Sequence, residues 1–96
     1  MLVTVWKNGT YGIRVGKKNA RQYFRRNTKS IEVKLDKRFH VFRLTRTFWT
    51  TCPEFRGMVI GRWLKSRGLA RWLKGHPPKL ELISMGKHRF KLKEGQ

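Results

Sequence analysis

Lysine and arginine dominate the side chains able to do chemistry in this sequence: 24 of them face only 5 Asp and Glu, a formal charge of +19 over 96 residues. Ammonium and guanidinium groups neutralise phosphates and release counterions, whereas reading base edges needs Arg, Asn or Gln held in fixed geometry. So few acids cannot pair the cations internally, and an unpaired excess of this size repels itself in a compact chain. The imbalance points to a polyanionic partner, nucleic acid first. Trp6, Trp49, Trp63 and Trp72 are of a type able to stack on unpaired bases, although core packing is the plainer role for an indole on a helical stripe.

Catalytic and metal chemistry have less to work with. His40, His76 and His88 lie far apart, with no carboxylate or thiol at metal-ligand spacing. Glu32, Asp36, Glu54, Glu81 and Glu94 form no cluster of the kind that holds magnesium in a nuclease. Neither Gly9, Gly12 and Gly16 nor Gly57 and Gly61 fall in the order of a phosphate-cradling loop. Cys52 is the single cysteine, so no internal disulfide and no thiolate zinc cage is possible, and as a nucleophile it lacks a partnered histidine. The expectation is a protein that is not an enzyme, with no metal, no cofactor and no small-molecule substrate.

These residues need a folded body. A disordered basic tail would be poor in aromatics, but here they run from Trp6 to Phe90, and 39% of the chain is apolar, enough for one core. Leu2, Val3, Val5 and Trp6 read as a strand, Asn8-Gly9 as a tight hairpin turn, and Tyr11 to Val15 as the returning strand. Ala20, Tyr23 and Phe24 put one apolar stripe on a short basic helix over 17–26. Ile31, Val33 and Leu35 alternate with Glu32 and Lys34 as a half-buried strand, turning at 36–38.

In the partner strand the apolar positions shift from Phe39 and Val41 to Phe42 and Leu44, which predicts a β-bulge near Val41. Thr51, Pro53 and Glu54 have the spacing of a capping box, so a second helix is predicted from there to about Arg67, buried through Phe55, Val59, Ile60, Trp63 and Leu64 and ended by Gly68. Residues 70–78, with Gly75 and Pro77-Pro78, read as a surface connection. Leu80 to Ile83 and Phe90 to Leu92 read as strands, with a turn over 85–88 between them.

The strand and basic helix of Ile13 to Phe24, the aromatic run of Phe42 to Thr51 and the helix of Trp63 to Leu69, in this order, resemble the B-three type of DNA-binding domain of plant transcription factors, whose pseudobarrel also recurs in recognition domains of some restriction enzymes. Residues 13–24, Ile-Arg-Val-Gly-Lys-Lys-Asn-Ala-Arg-Gln-Tyr-Phe, are similar to the family's strand, basic pair and short helix ending in an aromatic. Residues 42–51, Phe-Arg-Leu-Thr-Arg-Thr-Phe-Trp-Thr-Thr, resemble its aromatic strand followed by small polar residues, and residues 63–69, Trp-Leu-Lys-Ser-Arg-Gly-Leu, resemble its second helix. The chain departs from the pattern at Gly16, where the family usually has Pro, and at His76, where an acid usually follows the loop glycine. It also has a longer connection over 70–74 and a shorter first hairpin. The resemblance implies two arms that grip the major groove: Lys7, Asn8 and Thr10 in one, Arg46, Thr47, Thr50 and Thr51 in the other. Arg14, Lys17, Lys18 and Arg21 would hold the backbone beside them.

The expected architecture is a single α+β domain spanning residues 1–96, a small mixed β pseudobarrel of about six or seven strands with two short helices. Its expected partner is nucleic acid, duplex DNA favoured over RNA, although composition does not separate a ribosomal-type RNA binder from a DNA binder. A membrane-active cation is the third reading, suggested by the Trp, Leu and basic residues of 60–74, and opposed by Gly68 and the strand-rich remainder. No apolar run approaches the roughly 20 residues that cross a bilayer, so the location expected is intracellular.

Overall fold

A computed structural model describes residues 1–95. The chain runs β1 (Leu2–Asn8), β2 (Thr10–Arg14), α1 (Lys17–Tyr23), β3 (Ser30–Leu35), β4 (Arg38–Arg43), α2 (Arg46–Thr50), β5 (Glu54–Arg56), α3 (Met58–Ser66), β6 (Lys79–Ser84) and β7 (Arg89–Glu94). The seven strands form one sheet in the order β4-β3-β7-β6-β1-β2-β5. Every neighbouring pair is antiparallel except β3 and β7. The sheet curls until its two edges nearly meet, with the rings of Phe42 on β4 and Phe55 on β5 at 5.1 Å. This is the small α+β pseudobarrel expected, with three short helices in place of two.

Period-two alternation drives the closure. Val3 and Val5, Ile13 and Val15, Ile31, Val33 and Leu35, Leu80 and Leu82, and Phe90 and Leu92 all turn inward and are buried. Fully burying such side chains stabilises the fold by about 1.5–3 kcal/mol each. The helices close the two ends. At one end Ala20 and Phe24 pack with Phe48 of α2, and Phe24 stacks on Phe90 at 4.6 Å. At the other, Ile60, Trp63 and Leu64 of α3 are buried, and the Tyr11 hydroxyl donates to the Ala70 carbonyl at 2.6 Å, tying down the chain after α3.

The turns behave as their residues dictate. Gly9 reverses the first hairpin at φ 75°, a left-handed value that glycine adopts at no steric cost. Gly68 ends α3 at φ 70°: its N–H reaches the Lys65 carbonyl at 3.2 Å, and the Leu69 N–H reaches that of Leu64 at 2.9 Å, the two bonds of a Schellman motif.

Three expectations need correction. The β3–β4 ladder runs unbroken from Ser30↔Arg43 to Leu35↔Arg38, so there is no bulge at Val41. Phe39 and Val41 simply face outward, Phe39 beneath the Arg89 guanidinium at 4.9 Å, and His40 takes the inward position before Phe42. The helix over 17–26 is shorter, ending at Tyr23. The segment expected as one helix from Thr51 to Arg67 is instead the turn that follows α2, the short strand β5, and α3. No capping box forms, because the segment pairs with β2: the Pro53 carbonyl accepts the N–H groups of Val15 at 2.8 Å and Gly16 at 3.2 Å, and Phe55 lies opposite Ile13.

Candidate nucleic-acid interface

The outer faces of β1, β2 and β5 form one basic platform. Trp6 lies opposite Gly12, and Gly12 opposite Arg56, so the three form a row across the strands. The Trp6 ring covers the glycine, with the Arg56 guanidinium 4.9 Å and that of Arg14 5.5 Å from the ring centre. Such contacts orient a guanidinium and leave its N–H groups free to donate. Glu54 stands between the two arginines, its carboxylate 3.6 Å from Arg14 and 3.9 Å from Arg56. Across the seam between β5 and β4 the surface continues as a groove of about 460 Å³, lined by Arg43, Thr45 and Thr47 beside Glu54 and Arg56. The hydroxyls of Thr45 and Thr47 are bonded to each other at 2.8 Å.

Helix α2 is the ridge between that platform and a second depression. Arg46 and Thr50 face a groove of about 890 Å³ shared with α1 and the loop that follows it, whose further cations are Arg21, Arg26 and Lys29. Trp49 forms one wall, fixed by its indole N–H donating to the Thr28 carbonyl at 3.2 Å. A smaller cleft adjoining it between α1 and α2 brings Lys17 and Arg21 to Thr50. A third depression, beside the C-terminal end of α1, is lined by Tyr23, Arg25, Lys87 and His88, and among the described residues no acid lines any of the three. The acids gather elsewhere: Asp36 and Glu94 both pair with Arg67 just past α3, and Glu32 pairs with Arg89 on the outside of the sheet. The depressions at the α1–α2 end are therefore lined by cations with no acid among them.

The residues singled out in the sequence fall into three places. Lys7, Asn8 and Thr10 occupy the tip of the first hairpin, where the Lys7 ammonium rests 4.9 Å from the Tyr11 ring centre. Arg14 lies four residues further along β2, roughly 14 Å away at the usual rise per strand residue, and belongs to the platform. Arg46 and Thr50 join Lys17 and Arg21 around the α1–α2 end, while Thr47 lies on the platform side of α2. Lys18 is exposed on α1, and Thr51 is exposed at the C-terminus of α2, its N–H bonded to the Thr47 carbonyl at 3.0 Å. The two candidate arms thus stand at opposite ends of β2 and bracket the Trp6–Arg14–Arg56 platform.

Sequence reasoning missed Arg43 and Arg56 on the platform and Arg26 and Lys29 at the groove. Arg43 is outward by alternation with Phe42 and Leu44, a signal the sequence displays without saying what faces it; Arg56 is hidden by the helix expected over its segment. Trp63 is core, 4% exposed, and Trp72 packs edge-on against Tyr11 at 6.2 Å. Cys52 is an exposed thiol in the turn before β5, not at a helix start. Among the described residues no three of His, Cys, Asp and Glu come together as a metal site, and no helix is long and apolar enough to cross a membrane. No protein-family model, curated protein or solved structure matches this chain.

Proposed function

We propose that this chain binds nucleic acid, duplex DNA foremost, within the cell and without turning it over. The observation that carries the reading is the local concentration of cations: depressions at the α1–α2 end lined by Lys and Arg without an acid adjoin a platform of Trp6, Arg14, Arg56 and Arg43. A surface of this kind draws a polyanion by its field and holds it by neutralising phosphates. Lys17, Lys18, Arg21 and Arg14 supply backbone contacts. Arg46 and Thr47, on the two sides of the α2 ridge, with Thr50 and Thr51 at its end, supply groups able to hydrogen-bond base edges in a major groove about 12 Å wide, the Thr50 hydroxyl as an acceptor while it donates to the Arg46 carbonyl.

The resemblance to B-three type domains supports the same assignment, since its two implied arms are the segments that bracket the platform. Magnesium-dependent hydrolysis has no support in the acids, since four of the five, Glu32, Asp36, Glu54 and Glu94, are engaged by arginine and among the described residues none gather as a metal site. Competition among duplex DNA, single-stranded DNA and double-stranded RNA at two salt concentrations tests the proposal. Preference for duplex DNA with strongly salt-dependent affinity is expected. A flat salt response overturns polyanion binding, and preference for RNA transfers the surface to an RNA partner. Plasmid nicking that follows the protein through purification would remove the non-catalytic claim.

A further inference from the structure

The groove between α1 and α2 is more than an extension of a charged face. Its walls include Phe24, Leu44 and the indole of Trp49, its rim carries Arg21, Arg26, Lys29 and Arg46, and its volume of about 890 Å³ falls within the range of small-molecule sites. A surface that only neutralises phosphates needs no apolar recess, and one that only stacks apolar groups needs no ring of cations. One chemical unit satisfies both: a heterocyclic base joined to a phosphate. We propose that the groove receives a single unpaired nucleotide of the bound nucleic acid, the base against the Trp49 wall and its phosphate among the arginines.

This rests on the chain binding nucleic acid as argued above, and it adds a preference that a surface made only for paired duplex lacks. The wall is held for the purpose, since the Trp49 N–H donates to the Thr28 carbonyl across the α1–β3 connection and the indole packs edge-on against buried Phe48 at 4.8 Å. The occupant is a unit of a polynucleotide and not a free nucleotide, because the cations continue from the groove onto α1 through Arg21 and Lys17, a path for the flanking phosphates.

The test compares three duplexes of equal length: one fully paired, one with a single bulged nucleotide, and one with the same bulge made abasic. Stacking of one base on an aromatic wall predicts that the bulged duplex binds at least about fivefold more tightly than the abasic one. Trp49→Leu should shrink that ratio, whereas Arg26→Ala with Lys29→Ala should weaken the bulged and abasic probes alike, since both keep the phosphate. The ratio compares probes of nearly equal charge, so bulk electrostatics cancels from it. Equal affinity for the bulged and abasic probes overturns the nucleotide site while leaving duplex binding intact; failure of all three probes to bind overturns the underlying proposal instead. A preference for the bulge that a folded Trp49→Leu variant leaves unchanged, or a double variant that binds the bulged probe as tightly as the parent, overturns the placement in this groove. The abasic comparison needs no change to the protein, so it decides the matter even if a Trp49 variant does not fold.

Discussion

The indole of Trp6 is seated on Gly12: a Cβ at that glycine would stand 2.6 Å from Trp6 Nε1 and 3.0 Å from the Phe55 carbonyl oxygen. The bare backbone of β2 lets an aromatic ring lie across three strands, and the ring in turn gives Arg14 and Arg56 a surface to rest on. A flat, basic face on the outside of the barrel follows from one missing methyl group.

Gly12→Ala should therefore destabilise the fold by about 1–3 kcal/mol, the usual cost of forcing an atom into filled space. Urea denaturation measures it. Adding Trp6→Val should recover part of the loss and not all, because the contact with the Phe55 carbonyl remains. An unchanged midpoint for Gly12→Ala would show that the ring does not occupy that space.

Trp63 closes the other end of the barrel at 4% exposure, with Arg67 4.6 Å above its ring. Trp63→Ala should cost about 3–5 kcal/mol, as large-to-small core changes do. The expected result is a lower melting temperature and loss of every binding activity together. A variant that melts like the parent but no longer binds would make Trp63 a contact residue.

How much of this was legible in the sequence follows from the range of the interactions. Ile31, Val33 and Leu35 announce their strand by alternation, and Asn8-Gly9 announces its turn, because both signals are local. Glu54 to Arg56 becomes a strand only because β2 is there to pair with it, a contact between residues some forty positions apart that no local pattern encodes. Helix α2, at five residues, is too short to display a period. The candidate interface inherits these limits. Arg14 and the basic residues of α1 were accessible from motif and stripe, whereas the meeting of Arg56 with Trp6 depends on a register the sequence does not display.

Phosphate contacts and base contacts should fail differently. Lys17→Ala and Lys18→Ala should each weaken binding to all duplexes and reduce the magnitude of the salt slope by about one, whereas Arg46→Ala should lose roughly 1–3 kcal/mol and mainly on a preferred site. Selection from random duplexes supplies that site, and binding isotherms at several salt concentrations supply the slopes. If selection enriches no sequence, the arms do not read bases; if Arg46→Ala binds an enriched site as tightly as the parent, α2 is not the reading element.

Glu54 is the one acid inside the proposed interface, and its removal gives a prediction whose sign is informative. Its carboxylate lies within 4 Å of both Arg14 and Arg56, and its side chain is only 12% exposed. It therefore opposes the approach of a phosphate while holding the two guanidiniums in place. Both pairs involve arginines that are more than half exposed, so Glu54→Gln should change folding stability by only about 0–1 kcal/mol. Removing a negative charge well inside the screening length of roughly 8 Å at physiological salt should tighten binding to any duplex and steepen the salt slope by about one. The same change frees Arg14 and Arg56 to adopt several geometries, so discrimination between an enriched site and random duplex should fall even as affinity rises. If affinity for random duplex drops, or the slope does not move, Arg14 and Arg56 do not face phosphates, and the contact surface must lie at the α1–α2 end alone.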